Sequence, residues 1–280
     1  MGVSVGVMEF IDRNLDGAHV ERITGTGTRL HRVRLDEATL SRIVLTDTTV
    51  RGAGIYDTSL TGIELENVVI EGDVTNVTIN GVDVGPLIEA ELTRRDPLYG
   101  RLNPSDAEGF RSAWAEIEAR WADLTDRARA LPEETLHASV GGEWSFIQTL
   151  RHLGFATAAW LQRVVQGEPH PYRPLDLPWT EHPDWDASWN MPDDRAARPS
   201  LEEALAGRRP RQDAVRAHLA TLTDADLEAT VTREEPGWPA YPDVPVRLAL
   251  QTILIEEYHH HRFAERDLNI LTNQPTTQES

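Results

Sequence analysis

The chain lacks cysteine and lysine altogether, and all 27 of its basic side chains are arginine. Without cysteine there is no disulfide framework, no thiolate zinc site, no iron–sulfur cluster and no thiol nucleophile. Any metal must be held by His, Asp or Glu, and any thiol chemistry needs a thiol from outside. Long apolar runs are also missing. No stretch approaches the ~20 residues that span a bilayer, so no membrane partner is expected. Residues 1–10 carry no basic residue and include Glu9, unlike a secretory signal, which places the chain in the cytoplasm. Basic charge is scarce: 46 acidic against 27 basic residues give a net charge of −19. Such a chain repels phosphate backbones, so nucleic acid is not an expected partner. Trp is absent from the first hundred residues, and all eight follow later. That asymmetry predicts two domains with different cores.

What the N-terminal part does contain is a repeat of five. Leu15, Val20, Leu30, Leu35, Leu40, Leu45, Val50, Ile55, Leu60, Leu65 and Ile70 share one register, broken only by Gly25. Two residues earlier a small or β-branched series runs from Ala18 through Ile23, Thr28 and Val33 to Val68. A period of five fits neither a helix nor a strand. It fits a flat-sided solenoid in which one inward residue recurs on each face. The pattern resembles the pentapeptide-repeat family. That resemblance implies a right-handed quadrilateral β-helix over residues 1–85, of about three coils at strand spacing of ~4.8 Å. The register slips after Ile70, so the solenoid is expected to end in a cap before Pro86. Two roles stay open for it: a packing or homodimerisation platform, or an acidic mimic of duplex DNA that binds a topoisomerase.

Residues 86–104 read as a linker with a short helix at 86–94. The region 105–272 then reads as an all-α four-helix bundle, with a disordered tail at 273–280. In the first helix Phe110, Trp114, Ile117, Trp121, Leu124 and Ala128 recur at threes and fours, with Ser105 as N-cap and Glu108 completing a capping box. The second runs from about Trp144 to Gln166, apolar nearly all round and so the most buried. The third opens at Ser200 with a capping box to Glu203 and runs to about Leu222. The fourth spans about 244–271. Between the second and third lies a Pro- and Trp-rich stretch, 168–199. Its length without helix pattern, with Trp179, Trp185 and Trp189, predicts a lid or pocket wall.

Two features could carry chemistry. His152 sits inside the apolar second helix, where a histidine is either a hydrogen-bonded core residue or a ligand. The fourth helix reads Glu256-Glu257-Tyr258-His259-His260-His261. Successive residues turn ~100°, so three adjacent His cannot share a face, whereas residues four apart can. Glu256 with His260 and Glu257 with His261 are both such pairs, and a carboxylate with an imidazole at this spacing can grip a divalent metal. With His152, either pair would complete a three-ligand site inside the bundle.

The segments GEWSFIQTLRHLGFATAAWL (142–161) and EEYHHHRFAERDL (256–268) resemble the DinB-like (damage-inducible B) superfamily. The resemblance implies a metal held by one His of the second helix and a His-x-x-x-His pair of the last. His152 takes the first position. Aligning Glu257 with the Glu of the family's His-Glu-x-x-His motif puts Glu256 in the first-His position and His260 in the second. The implied ligands are therefore His152, Glu256 and His260, with a carboxylate in place of one His. The Glu257/His261 register would lose the motif Glu to Tyr258. His259 and His261 flank the site, and Glu257 is a general-base candidate if it faces the pocket. His137, His170, His182 and His218 read as surface residues. Arg163, Arg266 and Asp267 read as helix-surface or domain-contact residues, and Glu143 and Trp144 as the opening of a helix.

The function implied is that of a mononuclear metal-dependent enzyme acting on a small-molecule substrate. It would carry zinc or nickel, with an external low-molecular-weight thiol as a further cofactor, and act as a transferase, isomerase or hydrolase. The alternative is a noncatalytic binding or stress-response adaptor with a decayed metal site.

Overall fold

A computed structural model describes residues 37–50, 55–70, 72, 74–179, 189, 191–233 and 237–273. The chain divides into two compact units, Met1–Glu64 and Leu65–Ser280.

The five-residue period persists in the backbone. Glu37, Arg42, Asp47, Asp57, Gly62 and Asn67 all adopt left-handed φ between 47° and 63°. Each lies two residues after the Leu/Ile/Val register. Asn, Asp and Gly tolerate this region best, which accounts for four of the six. The packed axis expected of a β-helix is not observed among the described residues. Leu40, Leu45, Val50, Ile55, Leu60 and Leu65 are each at least 59% exposed, and no strand forms between residues 37 and 70 among those described. An inward register buries its side chains only where coils pair and close over one another, and no such pairing forms among the described residues. The registers at 15–35 and at Ala53 lie outside the described residues. After the slip, the chain forms a hairpin of β1 (Thr78–Ile79) and β2 (Val82–Asp83), with Ile79 opposite Val82. Asn80 and Gly81, both at positive φ, supply the two-residue turn that such hairpins need.

Helix α1 (Gly85–Arg95) carries Pro86 in its first turn, where a missing N–H costs nothing. It leads into α2 (Ala107–Arg129). Asp106, not Ser105, is the N-cap: its extended backbone lets the carboxylate accept from Gly109 N–H. Phe110, Trp114, Ile117, Trp121, Leu124 and Ala128 of α2 are all buried, as the threes-and-fours spacing requires. A short α3 (Glu133–Leu136) precedes α4 (Phe146–Thr157). Ser145, one residue after Trp144, forms a capping box with Gln148 that starts α4. The helix continues as a π-helical segment, Ala158–Val165. Of the residues of α4 only Gln148 escapes full burial, which makes it a core helix.

Helix α5 (Leu201–Thr221) begins at Ser200 with the expected capping box to Glu203. A short α6 (Asp224–Leu227) follows. Strand β3 (Thr230–Val231) pairs antiparallel with β4 (Val244–Pro245), which delivers the chain into α7 (Val246–Asn273). α7 packs on both α2 and α4, and α5 packs on both α4 and α2. The four long helices therefore surround the core in the order α2, α7, α4, α5, with α5 and α7 diagonal. No described helix is long and apolar enough to cross a membrane.

The segment joining α4 to α5 is tied down by buried arginines. Arg151 donates to the carbonyls of Leu175 and Ala197. Arg163 donates to Pro169 O, and Arg211 to Pro171 O and Asp176. Arg163, expected at a surface, is only 1% exposed, because backbone carbonyls of two loops satisfy its guanidinium. Leu177 of the same segment is fully buried. Trp185 and His182 lie outside the described residues, as does the tail from 274.

Candidate metal centre

His152 projects from the middle of α4, and Glu256 and His260 project from one face of α7. Their ligand-type atoms all lie within 4.8 Å of one another. His152 Nε2 is 3.2 Å from Glu256 Oε2, and His260 Nε2 is 3.1 Å from the same oxygen. The other nitrogen of His152, Nδ1, lies 3.0 Å from the Leu177 carbonyl oxygen. A carbonyl only accepts, so Nδ1 carries the proton and the neutral ring keeps its lone pair on Nε2. That lone pair faces a carboxylate oxygen. Two lone pairs repel, so a cation must sit between them, either a proton or a metal ion. His260 Nε2 faces the same oxygen, so a proton or a metal ion must sit between those two atoms as well. Two imidazoles converging on one carboxylate oxygen therefore suit a metal ion.

The protonation states favour ligation. Burial pushes Glu256 up, but the two imidazoles that face it, His152 and His260, outweigh it and hold the carboxylate well below its usual range. Burial also lowers the proton affinity of His260, and outweighs the opposing pull of Glu256. Metal ligation requires a neutral imidazole and an ionised carboxylate.

Aromatic rings surround the three residues. Trp144 lies 4.3 Å from the His152 ring and stacks on His260 at 5.8 Å. Phe155 and Phe263 flank His152 and His260 respectively. His152 is buried, whereas Glu256 and His260 are partly exposed, so the site opens on its α7 side. Behind Phe155, Tyr172 and Trp238 stack in turn. The α4–α5 segment thus contributes Leu177 O and Tyr172 to the walls.

A model of the DinB superfamily matches residues 116–264. The chain belongs to the DinB superfamily. No curated protein and no solved structure matches it.

Within the DinB region the second candidate pair points elsewhere. Glu257 is 1% exposed and accepts from Arg208 Nη2 at 2.6 Å across the bundle. Burial raises its proton affinity against the pull of Arg208. It does not face the site, which removes it as a general-base candidate. His261 turns toward α2, with Nε2 3.1 Å from Arg120 O and its ring edge-on to Trp121 at 5.2 Å. One residue along a helix is ~100°, enough to send neighbours to different sides of the bundle. His259 packs on Tyr99 and Tyr258 instead.

Of the histidines read as surface residues, His170 is exposed, but His137 and His218 are not. Each has a buried Nε2 with no hydrogen-bond partner, and burial lowers the proton affinity of His218. His137 caps the end of α3, and His218 lies in the last turn of α5. Asp267 is buried, and Arg266 lies 5.3 Å from the Phe263 ring centre. A cleft of about 440 Å³ opens between α2 and α5, lined by Trp121, Arg208, Arg216 and Glu118 but by none of the three candidate ligands.

Sequence reasoning missed three participants. Leu177 acts through its backbone carbonyl, which no side-chain pattern reveals. Arg208 gave no signal because its partner Glu257 is 49 residues away. Trp144 was readable only as the residue before an N-cap, although a large aromatic beside a helix start that leads to His152 was a usable hint.

Proposed function

We propose that this DinB protein binds one divalent metal ion, zinc or nickel, through His152, Glu256 and His260, and uses it to transform a small-molecule substrate. The observation that carries the reading is the convergence of two imidazole Nε2 atoms on one carboxylate oxygen. Borderline metals suit this mixed nitrogen and oxygen donor set. Three protein ligands are one short of the four a closed structural site takes, which is the pattern of a catalytic centre. A metal held there would lower the pKa of a bound water or thiol and supply a nucleophile at neutral pH. The chain's own residues hold His152 in one tautomer, keep Glu256 ionised and line the approach with Trp144 and Phe263. With no cysteine in the chain, a thiol nucleophile would be an external small molecule. The reaction class is transfer, isomerisation or hydrolysis.

For the N-terminal segment we keep the pentapeptide-repeat reading. It rests on the apolar register and on the left-handed residue that follows it at Glu37, Arg42, Asp47, Asp57, Gly62 and Asn67.

Elemental analysis of the untagged protein tests the metal reading. Near one equivalent of metal per chain is expected, lost in His152→Ala, Glu256→Ala and His260→Ala. Substoichiometric metal that none of these changes would leave the noncatalytic adaptor as the better account.

A further inference from the structure

Glu257 sits between two of the proposed ligands on α7 yet belongs to a different contact. Its carboxylate accepts from Arg208 of α5 at 2.6 Å, and its backbone carbonyl accepts from Trp121 Nε1 of α2 at 3.3 Å. The Arg208 guanidinium lies 4.6 Å over the Trp121 ring, so the two donors brace each other. Arg208 and Glu257 side chains are 3% and 2% exposed. Two helices therefore grip one residue of α7 from the side away from His152.

From this grip we infer that Glu257, clamped by Arg208 and Trp121, is the positioning residue that sets the rotation of α7 and so aims Glu256 and His260 at His152. The inference rests on the metal reading above. Side-chain tips lie ~5–6 Å from a helix axis, so a rotation of ~20° would move a ligand atom by ~2 Å. Metal–ligand distances tolerate only about ±0.2 Å. The rotation of α7 must then be held to a few degrees. Apolar contacts such as those of Ile253, Leu254 and Ala264 choose the buried face of α7. They are non-directional and allow small slips. A charged hydrogen bond to the side chain and a second bond to the backbone of the same residue do not.

The test compares metal affinity and site geometry at matched stability. Wild type, Arg208→Met/Glu257→Leu, Glu257→Gln and Trp121→Phe are titrated with zinc against a chromophoric chelator. Each is also loaded with cobalt, whose visible spectrum reports coordination, and melted without metal. The double variant removes the clamp without leaving a buried lone charge. It should melt near wild type yet bind zinc ten- to a hundredfold more weakly, with an altered cobalt spectrum. Glu257→Gln keeps an acceptor for Arg208 and should stay within about threefold of wild type. A double variant with wild-type affinity and spectrum overturns the inference. So does a Glu257→Gln loss as large as the double's, because charge rather than position would then be at work. If the double variant does not fold, Trp121→Phe decides: a severalfold loss supports the clamp and wild-type affinity removes it. Absence of zinc and cobalt binding in the wild type overturns the metal reading itself, an outcome distinct from the others.

Discussion

His152 donates its Nδ1 proton to the carbonyl of Leu177 at 3.0 Å, so a residue of the α4–α5 segment selects the tautomer of a residue in the core. The donation leaves Nε2 as the free donor atom. The segment is itself held by Asp176, which accepts from Arg173 N–H at 2.8 Å and from Arg211 at 3.0 Å. Gly154 of α4 makes room for it, since a Cβ there would stand 3.1 Å from Asp176 Oδ1. Asp176→Ala should therefore lower zinc affinity roughly tenfold, the usual scale for groups that orient a metal-binding histidine. Chelator competition measures this. Wild-type affinity would mean that α4 orients His152 unaided.

His261 separates stability from metal binding. Its imidazole bonds the Arg120 carbonyl and meets the edge of Trp121, and it points away from Glu256. His261→Ala should retain the full metal content while losing about 1–3 kcal/mol of stability from the lost bond and packing. Elemental analysis and urea denaturation of the same sample check both halves. Loss of metal would restore the Glu257/His261 register.

The Arg208–Glu257 pair makes a prediction about folding alone. Removing one partner of a buried pair leaves the other charge uncompensated, at a cost of about 3–5 kcal/mol. Replacing both by apolar residues of similar size is often neutral. In the metal-free protein, Arg208→Met should be strongly destabilised and Arg208→Met/Glu257→Leu should recover most of the loss. Denaturation midpoints of the two variants decide it, and equal losses would contradict it.

Acid should release the linker from the bundle. Asp96, between α1 and α2, takes two bonds from Arg120, at 2.7 and 2.8 Å, and one from the Tyr258 hydroxyl at 2.9 Å. Arg120, outweighing burial and helped by the Leu98 N–H and Tyr258, holds Asp96 down at about 2. An unfolded Asp titrates near ~3.9. A depressed folded value means the contribution is present above about pH 4 and is lost as the pH falls through about 2. Its size is at most about 2–3 kcal/mol. The melting difference between wild type and Asp96→Asn should be constant above pH 5 and vanish between pH 4 and 2. A difference that persists at pH 2 would refute the assignment.

The candidate site was half legible in the sequence. A His in an apolar helix and a carboxylate–imidazole pair at i, i+4 are local patterns, and local geometry dictates which residues share a helix face. The capping box at Ser200 was readable for the same reason, since its two residues are three apart, whereas the one expected at Ser105 gave way to Asp106. The N-terminal register was equally visible, but the burial expected from it was not found in the described residues. Burial depends on what packs against a segment, and period alone does not supply a partner.

The sequence by itself determined that α7 offers two carboxylate–imidazole pairs at i, i+4, Glu256/His260 and Glu257/His261, the first favoured by the family motif, and that any metal in a chain without cysteine would be held by such side chains. Only the tertiary structure brings one of these pairs, Glu256/His260, to His152. Helix α7 packs with one face toward α4 and another toward α2 and α5, and the ~100° step between adjacent residues sends Glu256 to His152 and Glu257 to Arg208. That choice rests on the rotation of one helix against three others, a non-local quantity that no spacing within α7 encodes.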